Sequence, residues 1–184
     1  MAVRLNHTIV AARDKDAAAI FLTEILGLPA PTLLGPFAVV QVGDDTSLDY
    51  MDTGGKIVSQ HYAFLVSEAE FDEIFGRIRE RRLKYWADPG RKQRGEINTW
   101  DDGRGLYFDD PNGHLLEIIT RPYGSGGTAA SKPHPLVASV LDVGQHLAGE
   151  VPASPSRVRC ATITGHAFSA TLRRPMTQSG HEAG

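Results

Sequence analysis

The chain has 184 residues, of which 41% are hydrophobic and 22% charged, values typical of a globular protein and not of a fibrous or disordered one. Its net charge of −3 offers no global attraction for nucleic acid or an anionic membrane, and no apolar run approaches the roughly 20 residues that span a bilayer. A single cysteine, Cys160, excludes an intrachain disulfide, and the N-terminus lacks the apolar region of a secretory signal, so we expect a cytoplasmic protein.

The first predicted elements are an extended apolar strand over residues 5–12 and a helix directly after it. Asp14 is a suitable N-cap for this helix, and Gly27 is a suitable stop. Two further strands follow at 37–42 and 47–51, joined by a tight turn. The pattern predicts a strand and a helix followed by antiparallel strands.

The same pattern begins again 54 residues later. His7 maps onto His61, and Phe21 maps onto Phe75. The second copy opens with the strand 61–66, and a helix with an apolar stripe at spacings of three and four follows. An internal repeat of this kind indicates two related modules.

The second helix and the strands after it carry clear local signals. Residues 67–70 fit a capping box, and strands are expected at 105–109 and 114–119. The link between these strands, 110–114, suits a type I turn followed by a left-handed glycine. Counting back along the resulting ladder places the phenol of Tyr107 opposite the carboxylate of Glu117, on one face of the sheet.

These elements predict an α+β fold built from two βαβββ modules. Module one spans residues 1–55 and module two spans residues 56–123. Each module would be marginal alone, so we expect the two to pack together with their sheets forming a shared cleft.

The composition changes after residue 123. Residues 124–184 contain Phe168 as their only aromatic residue and begin with a run rich in Gly, Ser and Ala. We expect a flexible low-complexity tail here, with one short helix starting near Pro135 as an open alternative. The histidines of the tail have no metal-ligand spacing and are expected to be solvated: His134, His146, His166 and His181.

Three side chains in the modules suggest a metal site. Strand alternation places His7 and His61 at equivalent positions of the two copies, and Glu117 lies in the middle of an otherwise apolar strand. A buried carboxylate is costly unless a cation meets it. Two neutral imidazoles and one carboxylate hold a divalent ion and leave other positions open for a substrate, so we expect a metal at His7, His61 and Glu117.

The chain resembles the vicinal-oxygen-chelate superfamily, which includes lactoylglutathione lyases, fosfomycin-resistance thiol transferases, extradiol dioxygenases and bleomycin-binding proteins. The resemblance covers about residues 4–123 and rests on the strands that open with His7 and His61 and on the closing segment 105–117. It implies paired βαβββ modules around a metal with His7, His61 and Glu117 as ligands. It also implies a homodimer in many relatives, sometimes with the two modules of one site supplied by different chains.

Departures from the family patterns bear on which branch of the superfamily this chain resembles. Where extradiol dioxygenases have an acid/base histidine, this chain has Trp100, which puts ordinary catechol cleavage in doubt. Where lactoylglutathione lyases have a fourth ligand, this chain has Asp49. The sequence leaves three roles open for this residue: a ligand, a base or a solvated carboxylate. The cationic residues that would anchor a phosphonate in the fosfomycin enzymes have no confident match, although four basic residues lie nearby in sequence: Lys92, Arg94, Arg104 and Arg121.

The sequence therefore predicts a metal-dependent enzyme of glyoxalase or dioxygenase type that chelates two neighbouring oxygens of a small substrate. Tyr107 is the candidate catalytic residue, donating a hydrogen bond to the substrate oxygen, and no organic cofactor site is expected. The ligand set favours Fe(II) or Mn(II), and Zn(II) or Ni(II) stay compatible. A thiol-transferring antibiotic-resistance enzyme and a non-catalytic small-molecule binding protein are the alternatives.

Overall fold

The computed structural model describes residues 3–126 and 129–135. None of the helices in this part of the chain is long and apolar enough to cross a membrane. The elements follow in the order β1 (His7–Ala12), α1 (Lys15–Leu26), β2 (Thr32–Leu34), β3 (Phe37–Gln41), β4 (Ser47–Asp52), β5 (His61–Leu65), α2 (Glu68–Glu80), β6 (Tyr85–Trp86), a 3₁₀ turn (Trp100–Asp102), β7 (Gly105–Asp109) and β8 (Leu115–Ile119).

Both halves of the chain have the predicted βαβββ order, with β1 to β4 around α1 in module one and β5 to β8 around α2 in module two. The sequence patterns do not predict β2 and β6. These edge strands have three and two residues, which is too short for the alternation of apolar and polar positions to be read.

The helix ends form as their sequences predict. The Asp14 carboxylate accepts a hydrogen bond from the backbone N–H of Ala17, and α1 ends at Gly27 with a φ of 73°, a left-handed conformation that favours glycine. At the start of α2, Ser67 and Glu70 form the reciprocal hydrogen bonds of a capping box. Local hydrogen bonds therefore fix where both helices begin, and Gly27 fixes where α1 ends.

Each module has a four-stranded sheet with the same topology. The strand order is β1-β4-β3-β2 in module one and β5-β8-β7-β6 in module two, and the first and last strands of each module pair in parallel. The registers correspond as well, because Ile9 pairs with Asp49 in module one and Ala63 pairs with Glu117 in module two. The repeat read from the sequence is thus a repeat of structure.

One face of each sheet, the core face, packs against the helices in a continuous hydrophobic core, while the other, the open face, carries the polar candidates. Buried core residues come from both modules: Val10, Leu22, Ile25, Val40, Tyr50, Phe71, Ile78, Leu106, Phe108, Leu116 and Ile118. Tyr62 lies on the core face and contacts the edge of the His114 ring, which agrees with a packing role. His114 also bonds the backbone carbonyl of Ala11 through Nε2 at 2.9 Å, which joins the two modules.

The turn between β7 and β8 sets the geometry of the strands that it joins. Gly113 has a φ of 84°, and the backbone N–H of Asp110 bonds the carbonyl of His114, as expected for a type I turn with a glycine bulge. The resulting register pairs Tyr107 with Glu117, which confirms the predicted placement of these two residues on one face.

The predicted cleft between the modules is present. It has a volume of about 610 Å³ and is lined by module-one residues such as Thr8 and Leu48 and by the whole of β5. Residues 136–184 lie outside the described part of the chain, and with them most of the predicted tail, the body of its candidate helix and His146, His166 and His181. These expectations stay predictions.

Candidate metal centre

His61 and Glu117 meet on the open face of module two. They lie on β5 and β8, neighbouring parallel strands in which Ala63 is the register partner of Glu117. This offset of one pleat brings Nε2 of His61 to 3.1 Å from Oε2 of Glu117. The two residues of the predicted ligand set that lie in module two are therefore in direct contact.

The Glu117 carboxylate is almost fully buried, with 1% of its surface exposed. A buried carboxylate requires partners on both oxygens. Oε2 faces the His61 ring, and Oε1 accepts a short hydrogen bond from the hydroxyl of Tyr123. Glu117 is thus held in one orientation, with a single oxygen directed at the imidazole.

A backbone carbonyl orients the His61 ring through the nitrogen that does not face Glu117. Its Nδ1 lies 3.1 Å from the carbonyl oxygen of Leu115, so the Nδ1–H donates there and Nε2 faces Glu117. A lone pair on Nε2 and a carboxylate oxygen are both acceptors, so their contact requires a cation, either a proton or a metal ion, between the two atoms. The side chain is 46% exposed, which leaves this nitrogen accessible from the pocket. A histidine fixed through its second nitrogen in this way is the usual arrangement of a metal ligand.

The donor set fits a divalent cation. Two ligand atoms each about 2.1 Å from one ion and about 90° apart are separated by roughly 3 Å, which matches the spacing between His61 Nε2 and Glu117 Oε2. One imidazole nitrogen and one carboxylate oxygen suit Fe(II), Mn(II), Zn(II) or Ni(II). These two side chains make up two thirds of the predicted ligand set.

Two tyrosines continue the network from Glu117. The hydroxyls of Tyr107 and Tyr123 are 3.0 Å apart, and because the proton of Tyr123 goes to the carboxylate, the proton of Tyr107 is donated to the oxygen of Tyr123. Burial, and then the neighbouring Glu117 carboxylate, raise the pKa of both phenols well above the usual range. Both stay protonated hydrogen-bond donors throughout the neutral pH range.

The pocket over these residues is apolar and aromatic. Its volume is about 570 Å³, and its walls carry His61, Ala63, Asp88, Pro89, Trp100, Tyr107, Glu117, Tyr123, His134 and Pro135. The Tyr107 ring stacks near the His61 ring with centroids 5.9 Å apart. Such a pocket suits a small, flat, largely apolar molecule.

The expectation that His134 is solvated is wrong. Its exposed fraction is 8%, and its ring lies 4.1 Å from the Tyr123 ring and 4.7 Å from the Trp100 ring, measured between centroids. The composition of residues 124–184 concealed this contact. A usable signal was present, since His134 stands between Pro133 and Pro135, which restrict the backbone and lower the entropy lost when the segment docks.

Tyr123 was also missed as a site residue. It follows β8 by four positions and lies outside the strand alternation that identified Glu117, so no periodic pattern pointed to it. Trp100, by contrast, is in the pocket, edge-on to the rings of Tyr123 and His134. The indole at this position thus has an imidazole beside it.

His7 lies on the open face of module one, in a different pocket of about 530 Å³. Its Nδ1 is 2.8 Å from the side-chain oxygen of Asn6. Asp49 lines the same pocket, is 8% exposed and accepts a 2.7 Å hydrogen bond from the Ser47 hydroxyl. Among the described residues, no three His, Cys, Asp or Glu side chains of one chain come together as a metal site.

The basic residues that were considered as anion anchors do not line the His61 pocket. Arg104 pairs with Glu68 and Asp72 through 2.6 Å contacts and lies over the Phe71 ring, on the side of α2. In the described part of the chain, no Lys or Arg belongs to the pocket wall.

Residues 4–118 match the sequence profile of the Glyoxalase/Bleomycin resistance protein/Dioxygenase superfamily, and the chain belongs to this family. The particular relatives divide into two groups. The solved structure of Oxidase ChaP-H1 is 65% identical to this chain, covers 67% of it and 100% of its own length, and superposes with a TM-score of 0.66.

The second group consists of transferases. Metallothiol transferase FosB from Shouchella clausii (strain KSM-K16) is 32% identical over 63% of this chain and 79% of its own. Glutathione transferase FosA from Serratia marcescens is 30% identical over 62% of this chain and 78% of its own. All three relatives bear the names of enzymes.

Proposed function

We propose that this protein is a metal-dependent oxidase that acts on a small molecule with two neighbouring oxygen atoms. The observation that carries the proposal is the 65% identity to Oxidase ChaP-H1 over the whole length of that chain, about twice the identity to the transferases. The wall of the His61 pocket is apolar and, among the described residues, includes no Lys or Arg, which agrees with a neutral aromatic or enolic substrate more than with a phosphonate.

We further propose that His61 and Glu117 hold the metal together with His7 of a second copy of the chain, in a homodimer. The donor set is then two imidazoles and one carboxylate, for which Fe(II) or Mn(II) is the favoured ion. When bound, such an ion supplies Lewis-acid polarisation of the substrate oxygens and one-electron chemistry. This arrangement accounts for the separation of His7 from the other two residues within one chain.

The chain's own residues bind and orient the substrate. Tyr107 is placed beside Glu117 by strand pairing, and its hydroxyl can turn from Tyr123 to donate to a substrate oxygen that carries developing negative charge. Trp100 and Pro89 form apolar walls that exclude water from this hydrogen bond. Tyr123 stays on Glu117 and keeps the carboxylate from swinging toward the substrate.

The test is metal content combined with oxygen uptake. Protein freed of metal with a chelator is loaded anaerobically with Fe(II), Mn(II), Zn(II) or Ni(II), and oxygen consumption is followed with catechols and related vicinal diols. We expect about one metal ion per chain, lost in His61→Ala and Glu117→Ala. The matched control is Asp52→Asn, which removes an exposed carboxylate of module one. A wild-type protein that holds none of the four candidate metals would overturn the proposal in favour of a binding protein.

A thiol transferase is the second candidate, favoured by the 32% and 30% identity to FosB and FosA. The two functions differ in their co-substrate. Consumption of glutathione or another thiol with fosfomycin, without oxygen uptake, would establish the transferase. Oxygen uptake without dependence on a thiol would establish the oxidase.

A further inference from the structure

Residues 131–135, which we call the strap, are tied to the turn that precedes β7. The Asp102 carboxylate accepts hydrogen bonds from the backbone N–H and the hydroxyl of Ser131, the former at 3.0 Å. The N–H of Asp101 donates to the carbonyl of Lys132 at 2.7 Å, and the ammonium of Lys132 donates to the Thr99 hydroxyl at 3.2 Å. Four hydrogen bonds therefore place the strap against residues 99–102.

The turn itself has an unusual backbone. Asp101 and Asp102 have φ values of 53° and 58°, in the left-handed region that non-glycine residues rarely occupy. Asp101 is fully buried, and its Oδ2 accepts the backbone N–H of Gly124 at 2.7 Å. Such a conformation persists where surrounding contacts hold it, and here the contacts are those to the strap and to Gly124.

The strap ends in the metal pocket. His134 and Pro135 form part of its wall, and the His134 ring packs on the Tyr123 ring with centroids 4.1 Å apart. Trp100 closes the group, 5.7 Å from Tyr123 and 4.7 Å from His134. The strap is thus connected to Tyr123 directly by ring packing. It is also connected indirectly through Asp101, which donates its backbone N–H to Lys132 and accepts the N–H of Gly124.

Tyr123 depends on this support because no strand holds it. β8 ends at Ile119, so the backbone at Tyr123 is fixed by Gly124 bound to Asp101, and the ring is fixed by Trp100 and His134. Its hydroxyl in turn holds one oxygen of Glu117, which leaves the other facing His61. Hydrogen-bond partners of a ligand set its orientation and the affinity of the metal.

We propose that the strap helps to position the metal ligand Glu117. Asp102, which binds the strap, and His134, which belongs to it, act as positioning residues that keep the Tyr123 hydroxyl hydrogen-bonded to Glu117. The inference rests on the proposed metal site. Tyr123 and the strap lie beyond residues 4–118, where the family profile ends, and about a third of this chain has no counterpart in ChaP-H1. The support of Glu117 from this segment therefore lies outside the part of the chain that the family profile describes.

The test is the affinity of full-length variants for Mn(II), measured by the electron paramagnetic resonance signal of the free ion, with the visible spectrum of the Co(II) form as a second readout. Tyr123→Phe keeps the ring and removes the hydroxyl, and we expect its dissociation constant to rise about 10- to 100-fold. Asp102→Asn and His134→Ala should raise it in the same direction by less, and all three should shift the Co(II) bands.

Asp52→Asn is the matched control, because Asp52 also accepts a backbone and a side-chain hydrogen bond, from Lys15, but lies in module one. Ser131→Ala replaces Asp102→Asn if the latter does not fold by circular dichroism. Wild-type affinity and spectra in Tyr123→Phe, or in both Asp102→Asn and His134→Ala, would overturn the inference. Wild-type affinity in His61→Ala would instead overturn the metal site, so the two failures are distinguishable.

Discussion

The two modules carry the same pair of positions in the same register, yet only one of them forms a contact. In module two, His61 and Glu117 are 3.1 Å apart. In module one, His7 and Asp49 occupy the equivalent places on β1 and β4, but His7 bonds Asn6 and Asp49 bonds Ser47. A side chain shorter by one methylene, with a serine within reach, is satisfied locally and leaves the histidine to other partners.

The modules also differ in what lies beside the carboxylate. The register partner of Glu117 is Tyr107, whereas the partner of Asp49 is Val39, which has no hydroxyl to donate. Module two further has the Trp100–Asp102 turn and the strap over its open face. The comparison shows how one repeated scaffold supplies a complete polar network in one copy and a single available imidazole in the other.

The largest effect is expected when His7 and His61 are removed from separate chains, which are then mixed. His7→Ala and His61→Ala should each abolish metal-dependent activity, because each removes a ligand from every site. If the site joins two chains, an equal mixture after subunit exchange should regain about a quarter of wild-type activity, since half the dimers are mixed and each holds one intact site. Activity of the mixture is measured against each variant incubated alone.

A mixture that stays inactive, although mass spectrometry shows mixed dimers, would contradict the two-chain site. A site within one chain predicts this result, because no chain in the mixture then has both histidines. His7→Ala paired with itself controls for recovery on incubation.

The next largest effect is expected at the equivalent carboxylates of the two modules, Glu117 and Asp49. Glu117→Gln should weaken Mn(II) binding by more than about 100-fold, beyond the range for loss of an outer partner of a ligand, because it removes a ligand oxygen. Asp49→Asn should weaken it far less, since Asp49 is held by Ser47 and does not contact a histidine. Isothermal titration with Mn(II) checks both. Equal losses in the two variants would show that Asp49 is a fourth ligand.

The difference between the modules also marks what a sequence can predict. His61, Glu117 and Tyr107 lie on regular strands, where a period of two and one turn type determine which side chains share a face. Tyr123 and His134 lie in irregular backbone after β8, and their positions depend on hydrogen bonds to Asp101 and Asp102. No periodicity describes such a path, so composition alone suggested a solvated segment.

The distance between His7 and the other two proposed ligands was not predicted, for another reason. Repeat equivalence shows that two residues occupy matching places in their modules, but it does not show how the modules pack. The core faces of both sheets join in one hydrophobic core, which directs the open faces into different pockets. That outcome depends on packing between modules, which the local pattern of each module does not encode.

The smallest effects concern the helix starts, where the modules use different caps. Asp14→Ala in α1 and Ser67→Ala in α2 should each lower the free energy of unfolding by about 1 kcal/mol, because each leaves a backbone N–H without its acceptor. Only α2 has the second half of a capping box, in which Glu70 accepts from the backbone N–H of Ser67.

The hydrogen bond that Glu70 accepts in the capping box should make the stability of the protein depend on pH in the acid range. The backbone N–H of Ser67, and then its hydroxyl, lower the pKa of Glu70 below the ordinary value of 4.5. A carboxyl with a lowered pKa in the folded state stabilises the fold above the unfolded-state pKa, and this contribution is lost as the pH falls through the folded-state pKa. Glu70→Gln should therefore be less stable than wild type at pH 7, and the difference should shrink below about pH 4.5.

Urea unfolding of the metal-free proteins across this pH range measures the difference in the free energy of unfolding, with Glu80→Gln at the other end of α2 as the control for removal of a charge. A difference that is the same at both ends of the range would mean that Glu70 contributes by packing and not through its carboxylate.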